Sequence, residues 1–321
     1  MTKNIKVLCI GKATQDVFLQ SDEFDPKKEG KIAYTHLPLG AKLDVEELTF
    51  ATGGNATNAA VTFARQGLHA QYMWALGNEP SSQAITIELD NENVDMSGVV
   101  HGDEYKASYS TILLSPGGER TILNYHGTMV HPDGHPIDLE RIAEADWLYL
   151  SSVGSMELLE KIVSKAAEHH VKIAMNPAAT ELAEPEKLKT LLEDVTILSL
   201  NKEEMQQLVE GETIEELVRH GTNLCPVVLV SDGANGAIAS DSKVIVKAGM
   251  YEDVSVVDRT GAGDAFGSGF VAWHILGKTL EECVIFASAN STNVVTKIGA
   301  KAGILHQHTQ LHSMPTKTTA F

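Results

Sequence analysis

Asp258-Arg259-Thr260-Gly261-Ala262-Gly263-Asp264-Ala265-Phe266 is the stretch whose reading decides the fold. The β-branched run at 254–257 before it reads as a buried strand. After it, Phe266, Phe270, Val271, Ile275 and Leu276 recur at helical spacing. The two glycines between strand and helix can take conformations closed to other residues. A glycine turn opening a helix aims several N–H groups at one point, where the helix dipole favours an anion. A carboxylate at Asp264 would repel a phosphate there unless its task is to take a proton. A base beside an anion hole is what phosphoryl transfer to a hydroxyl requires. The same residues also suit a plain helix start, with Asp264 supporting the first turn. A dinucleotide fingerprint fits poorly, because its third glycine would fall at Phe266.

Working outward, the alternation from residue 138 onward is regular. Apolar runs at 147–150, 171–175, 195–200 and 227–231 alternate with amphipathic segments at 138–145, 156–169, 186–192, 202–209 and 214–220. That order predicts a parallel sheet with right-handed crossovers. The run at 5–10 is apolar enough for a central strand of the same sheet. Asp16 follows it, past the strand's carboxyl end, where open α/β sheets bind ligands; a turn residue is the alternative. Thr52-Gly53-Gly54-Asn55-Ala56-Thr57-Asn58 opens a helix of small residues that lets a ligand approach, and Asn58 offers a donor and an acceptor to a polyol. Alternating residues at 105–113 and 120–125, around Ser115-Pro116-Gly117-Gly118-Glu119, read as a hairpin. With β-like pieces at 32–37 and 45–50, the hairpin is expected to form a small sheet set apart as a lid. The last long helix is expected over 280–296, and the tail after Gly303 reads as polar and loosely held.

Two further stretches end strands. Asn201 and Glu204 share one face of a first helical turn, which suits magnesium held through waters or, equally, a capping box. Ser231-Asp232-Gly233 is either a nucleotide-contacting turn or an ordinary one.

The whole chain bounds these readings. Its 321 residues make one large α/β domain or one with a small appendage, and its formal charge of -18 opposes nucleic acid or anionic membrane as main partners. A local pocket for a nucleotide is compatible with that charge. Cys9, Cys225 and Cys283 each lie in apolar segments, which suits reduced core packing. With no signal-peptide pattern and no apolar run of spanning length, the expected compartment is the cytosol.

Gly53-Gly54-Asn55-Ala56-Thr57-Asn58-Ala59-Ala60 and the Asp258–Phe266 stretch, in this order and with Asn201-x-x-Glu204 between them, resemble the two signatures of the ribokinase-like (PfkB) carbohydrate kinases. The resemblance covers residues 5 to 304. It implies a three-layer α/β sandwich around a central, mostly parallel sheet, with a β lid from roughly 12–50 and 100–127 on a single domain spanning 1–321. It implies ATP-dependent transfer of a phosphoryl group to a hydroxymethyl of a sugar or nucleoside, with ATP and Mg2+ required. Residue by residue, Asp264 resembles the catalytic base, and Gly261, Ala262 and Gly263 the anion hole. Asp16, Gly54 and Asn58 match substrate contacts. Asn201 and Glu204 match the residues that organise magnesium and phosphates. Ser231 and Gly233 match a nucleotide-contacting turn, and Asn290 lies near the adenine position. Asp258 resembles a ligand of a monovalent cation such as K+, completed by the 296–300 loop. Lid strands in such proteins often pair between subunits, so a homodimer is expected.

Arg259 stands where such kinases often carry Thr, and Gly77-Asn78-Glu79-Pro80 departs from their usual Gly-Asp-Asp-like segment. The acceptor itself is not readable. Lys12, Lys31, Lys42 and Arg120 are candidate cations for a sugar phosphate, and Tyr105, Tyr109 or Tyr125 for a nucleoside slot. The balance leans to an unphosphorylated sugar or nucleoside. A catalytically silent binding protein on the same scaffold and a sugar-phosphate kinase are the alternatives.

Overall fold

The computed structural model describes residues 4–29, 32–115, 119–249, 251 and 254–321. The hairpin tip at 116–118 and Lys31 lie outside them. Six strands form the parallel part of the central sheet, in the order Val227–Ser231, Ile197–Asn201, Lys172–Asn176, Trp147–Ser151, Lys6–Ile10, His69–Met73. Their sequences run almost without polar interruption because helices cover both faces of such a sheet; Val7, Leu148, Ile197 and Leu229 are wholly buried. The sheet continues antiparallel through Ala237–Ser240, Val244–Ala248 and Thr316–Ala320. The helices Asn55–Arg65, Ala262–Ile275 and Leu280–Val294 pack against one another beside the sheet.

A separate four-stranded sheet has the order Arg120–Tyr125, Ser108–Leu114, Thr14–Gln20, Glu47–Gly53. The central pair is parallel and the outer pairs antiparallel. One side of this small sheet is left apolar and open: Leu48, Phe50, Leu123 and Tyr125 share it by the strand register and are exposed.

The structure revises several expectations. The run at 254–257 forms no strand. Val256 is 48% and Val257 39% exposed, and Val257 and Asp258 donate their N–H groups to the Val295 carbonyl. β-branched residues suit any extended backbone, so composition alone did not separate a buried strand from a loop crossing the open end of the sheet. Asp16 lies within the strand Thr14–Gln20 of the small sheet, not in a turn. The segment at 138–145 is a 3-10 helix, Leu139–Glu144, and the helix opening at Lys202 closes by Met205. The tail is not loose, since Thr316–Ala320 is an edge strand; its Thr-Lys-Thr-Thr sequence is polar because an edge strand faces water.

Candidate active site

Asp264 stands in the first turn of Ala262–Ile275, which Gly261 opens at φ 76 without a side-chain cap. A Cβ on Gly261 would lie 2.7 Å from the Cα of Ala300, so space as well as backbone conformation requires glycine. The Ala262 N–H leans to the Arg259 carbonyl at 3.3 Å, whereas those of Gly263 and Asp264 find no partner among the described residues. Gly263 and Ala262 line a cavity of about 140 Å3 together with Ser231, Gly233, Ser288 and Ser291. Two stretches read separately in the sequence, the anion turn and the Ser231-x-Gly233 turn, therefore face one space.

The Asn58 amide donates to Asp264 Oδ2 at 2.8 Å across 206 residues of sequence. Asn58 Oδ1 is buried and has no donor, so a ligand hydroxyl in front of it would complete the pair. The pKa of Asp264 is raised to about 6. Burial is the main cause; Asn58 and Lys301 oppose it, and the charges of Glu204 and Asp16 add to it. Asp16 is itself buried, hydrogen-bonded to Ser110, and raised by burial. A Cβ on Gly53 would fall 2.3 Å from Asp16 Oδ2. Asp16, Asn58 and Asp264 thus converge, each from a different element.

Lys301 was absent from the sequence reading. Only 2% exposed, it donates from Nζ to Thr52 Oγ1 at 2.9 Å and leans to the Gly53 carbonyl at 3.4 Å. Burial lowers its pKa to about 8, while Glu88, Asp16, Asp264 and Glu92 hold the proton on. Its signal in the sequence was a lysine in a run of small and apolar residues, Ile298-Gly299-Ala300-Lys301-Ala302-Gly303-Ile304, where a solvated charge has no place.

Asn201 and Glu204 form the reciprocal capping box: Asn201 N–H donates to Glu204 Oε2 and Glu204 N–H to Asn201 Oδ1, both at 2.9 Å. Among the described residues the Asn201 side chain also bonds to the Glu204 carboxyl, whose pKa burial raises. Among those residues no cluster of three or more His, Cys, Asp or Glu could hold a metal ion by itself. Asp258 is buried; its Oδ1 accepts from Thr260 N and Oγ1 at 3.0 and 2.8 Å, and its Oδ2 from Gly299 N at 3.0 Å. That carboxylate already staples the 296–300 loop, so the donor set gives no argument for K+.

Asn290 is a correction. It is fully buried; its Nδ2 donates to the Ala265 carbonyl and its Oδ1 accepts from Leu305 N, both at 2.8 Å. It joins helix to tail and is closed to a nucleotide. Helical periodicity held the answer: Asn290 shares the inward face with Ala287 and Val294, while Ser288, Ser291 and Thr292 line the cavity. Arg259 is exposed and, with Arg120, lines an open cavity of about 420 Å3 between the hairpin and the 256–259 segment.

The model of the pfkB family carbohydrate kinases matches residues 4–307. A ribokinase of Haemophilus influenzae is 25% identical over 275 residues, 83% of this chain and 88% of its own. An ATP-dependent ribose-1-phosphate kinase of Halopiger xanaduensis is 25% identical over 303 residues, 93% of this chain and 94% of its own. The solved structure of Arabidopsis thaliana ribokinase complexed with ribose and ATP superposes with a TM-score of 0.76 at 22% identity, covering 94% of this chain and 96% of that one. A match over nearly the whole length, on a chain with this sheet order, places the protein in the pfkB family of carbohydrate kinases, phosphotransferases that take an alcohol group as acceptor.

Proposed function

We propose that the chain transfers the γ-phosphoryl group of ATP to a hydroxymethyl group of a sugar or nucleoside, with Asp264 as the general base. The observation that carries this is the pairing of Asp264 with Asn58 beside unpartnered N–H groups at Gly263 and Asp264. A carboxyl held near pKa 6 is ionised at neutral pH, yet basic enough to accept a proton as an alkoxide forms. The amides of Gly261, Ala262 and Gly263 stand where charge develops on the transferred group. Asp16, Gly54 and Asn58 orient the acceptor, with Asn58 Oδ1 taking a hydroxyl hydrogen. Ser231 and Gly233 receive the nucleotide phosphates. Bound Mg2+ would neutralise phosphate charge, its waters held by Glu204 and Asn201. Lys301 keeps Asp16 and Asp264 from repelling each other. The small sheet acts as the lid that excludes water, and its exposed Leu48, Phe50, Leu123 and Tyr125 support a homodimer through that face. A cytoplasmic location accords with this chemistry; among the described residues no helix is long and apolar enough to cross a membrane.

The test is ATP consumption against a panel of pentoses, hexoses, their phosphates and nucleosides, with wild-type and Asp264→Asn protein. One acceptor should be turned over by the wild type and not by the variant. Equal turnover by both would remove the mechanism, and no turnover of any acceptor would favour a silent binding protein.

A further inference from the structure

Of the four cations that sequence inspection offered for a charged acceptor, one is now distinguished by its surroundings. Arg120 and Lys42 are exposed. Lys12 is half-buried on the segment between the strands Lys6–Ile10 and Thr14–Gln20, and it lines a cavity of about 250 Å3 that also contains Gly54. Burial lowers its pKa. Its Nζ has no hydrogen-bond or ion-pair partner among the described residues.

The neighbour that would neutralise it is engaged elsewhere. Glu181 accepts from Gly154 N with Oε1 at 2.6 Å and from Ala178 N with Oε2 at 2.9 Å. Its charge acts on Lys12 without closing an ion pair. Gly154 leaves room for the ammonium, since a Cβ there would lie 3.3 Å from Lys12 Nζ. Ser152 holds a positive φ of 54 on the same wall, a strained backbone of the kind that collects at ligand sites. Asn124, in the small sheet, and His126, just after its strand, also line the cavity and add polar groups to it. The helix that Gly54 opens carries Asn58 one turn on, and Asn58 touches Asp264. Gly54, on the wall of the cavity, thus opens the helix that carries Asn58 to the reacting centre.

We propose that the acceptor carries an anionic group, a phosphate or a carboxylate, and that Lys12 receives it in this cavity while the hydroxymethyl faces Asp264. The kinase reading above supplies the acceptor; the anion site is the new element. It narrows the substrate class from sugars and nucleosides to acidic sugar derivatives, against the lean of the sequence. A half-buried cation with no hydrogen-bond partner gains more from a ligand anion than an exposed arginine does, because part of its water has already been removed.

Calorimetric titration of the whole protein tests this with matched probes. The phosphate arm pairs D-ribose 1-phosphate with D-ribose and D-fructose 6-phosphate with D-fructose. The carboxylate arm pairs D-gluconate with D-glucitol. In one arm the charged member should bind about 10- to 100-fold more tightly than its neutral partner. Lys12→Met should bring that ratio close to one, and Lys12→Arg should retain most of it. The proposal is overturned if neither arm shows a charge preference, if the preference survives Lys12→Met, or if it is lost in Arg259→Met instead. A charged sugar that binds through Lys12 but is never phosphorylated would count against the kinase reading and leave the anion site standing.

Discussion

Among the described residues two helices start on a glycine and several start on a cap. Gly54 at φ 96 and Gly261 at φ 76 open their helices with no side chain on the first-turn amides. Ser155, Asn201, Thr213 and Thr279 instead close theirs with a hydroxyl or an amide oxygen. A capped start has satisfied its own N–H groups; a glycine start leaves them for something else. Both glycine starts meet at the Asn58–Asp264 hydrogen bond. They differ in charge: the second carries Asp264 in its first turn and the first carries no acid there. One end is thus fitted to hold a polyol and the other to take its proton.

The sharpest way to break this contrast is to remove the one acid. Asp264→Asn should lower kcat by about 10^2- to 10^4-fold in a steady-state assay. It should also raise stability at pH 7 by about 1–2 kcal/mol, read by denaturant titration, after allowing for the partial exposure of the carboxyl. The sign follows from its pKa of about 6, above the unfolded value of 3.8. The native state holds the proton more firmly, so the stability this gives is full at low pH and is lost as pH rises through about 6. A variant both active and less stable would contradict the role and the environment together.

Lys301→Met comes next. Leaving Asp16 and Glu88 without their buried counter-charge should cost about 3 kcal/mol in chemical denaturation. In the wild type, activity should fall below pH 6, where Asp264 is protonated, and above pH 8, where Lys301 loses its proton. The variant should lack the alkaline limb of the kcat/KM profile; an unchanged limb would remove Lys301 from the site.

Gly54→Ala and Gly261→Ala compare the two starts directly. Each forces a side chain into a positive φ and against backbone, 2.5 Å from the Lys12 carbonyl or 2.7 Å from the Ala300 Cα. Each should destabilise by about 2 kcal/mol. The first should act chiefly on KM for the acceptor and the second on kcat. The smallest effect is expected at a capped start that touches nothing reactive: Thr213→Ala should cost about 1 kcal/mol and leave turnover unchanged.

What was legible in the sequence follows the same division. The parallel strands could be read because a sheet covered on both faces leaves continuous apolar runs such as Val227–Ser231. The glycine starts could be read because only glycine fits them. The run at 254–257 misled because apolar, β-branched residues also suit the wall of an open cavity, where Val256 and Val257 lie. Lys301 was missed because the small, apolar run around it signals a buried lysine but not its partners: Thr52, 249 residues away, and Asp16, farther still. Asn290 was misread because position on a helix was used without asking which face it occupies.

The carboxyl-terminal strand has a practical side. Thr316–Ala320 is hydrogen-bonded along Val244–Ala248 and forms the margin of the central sheet. A purification tag or fluorophore fused after Phe321 would hang from a paired strand rather than from a free thread. Trimming the chain at residue 315 would bare the Val244–Ala248 ladder and offer a neighbouring molecule a place to stack.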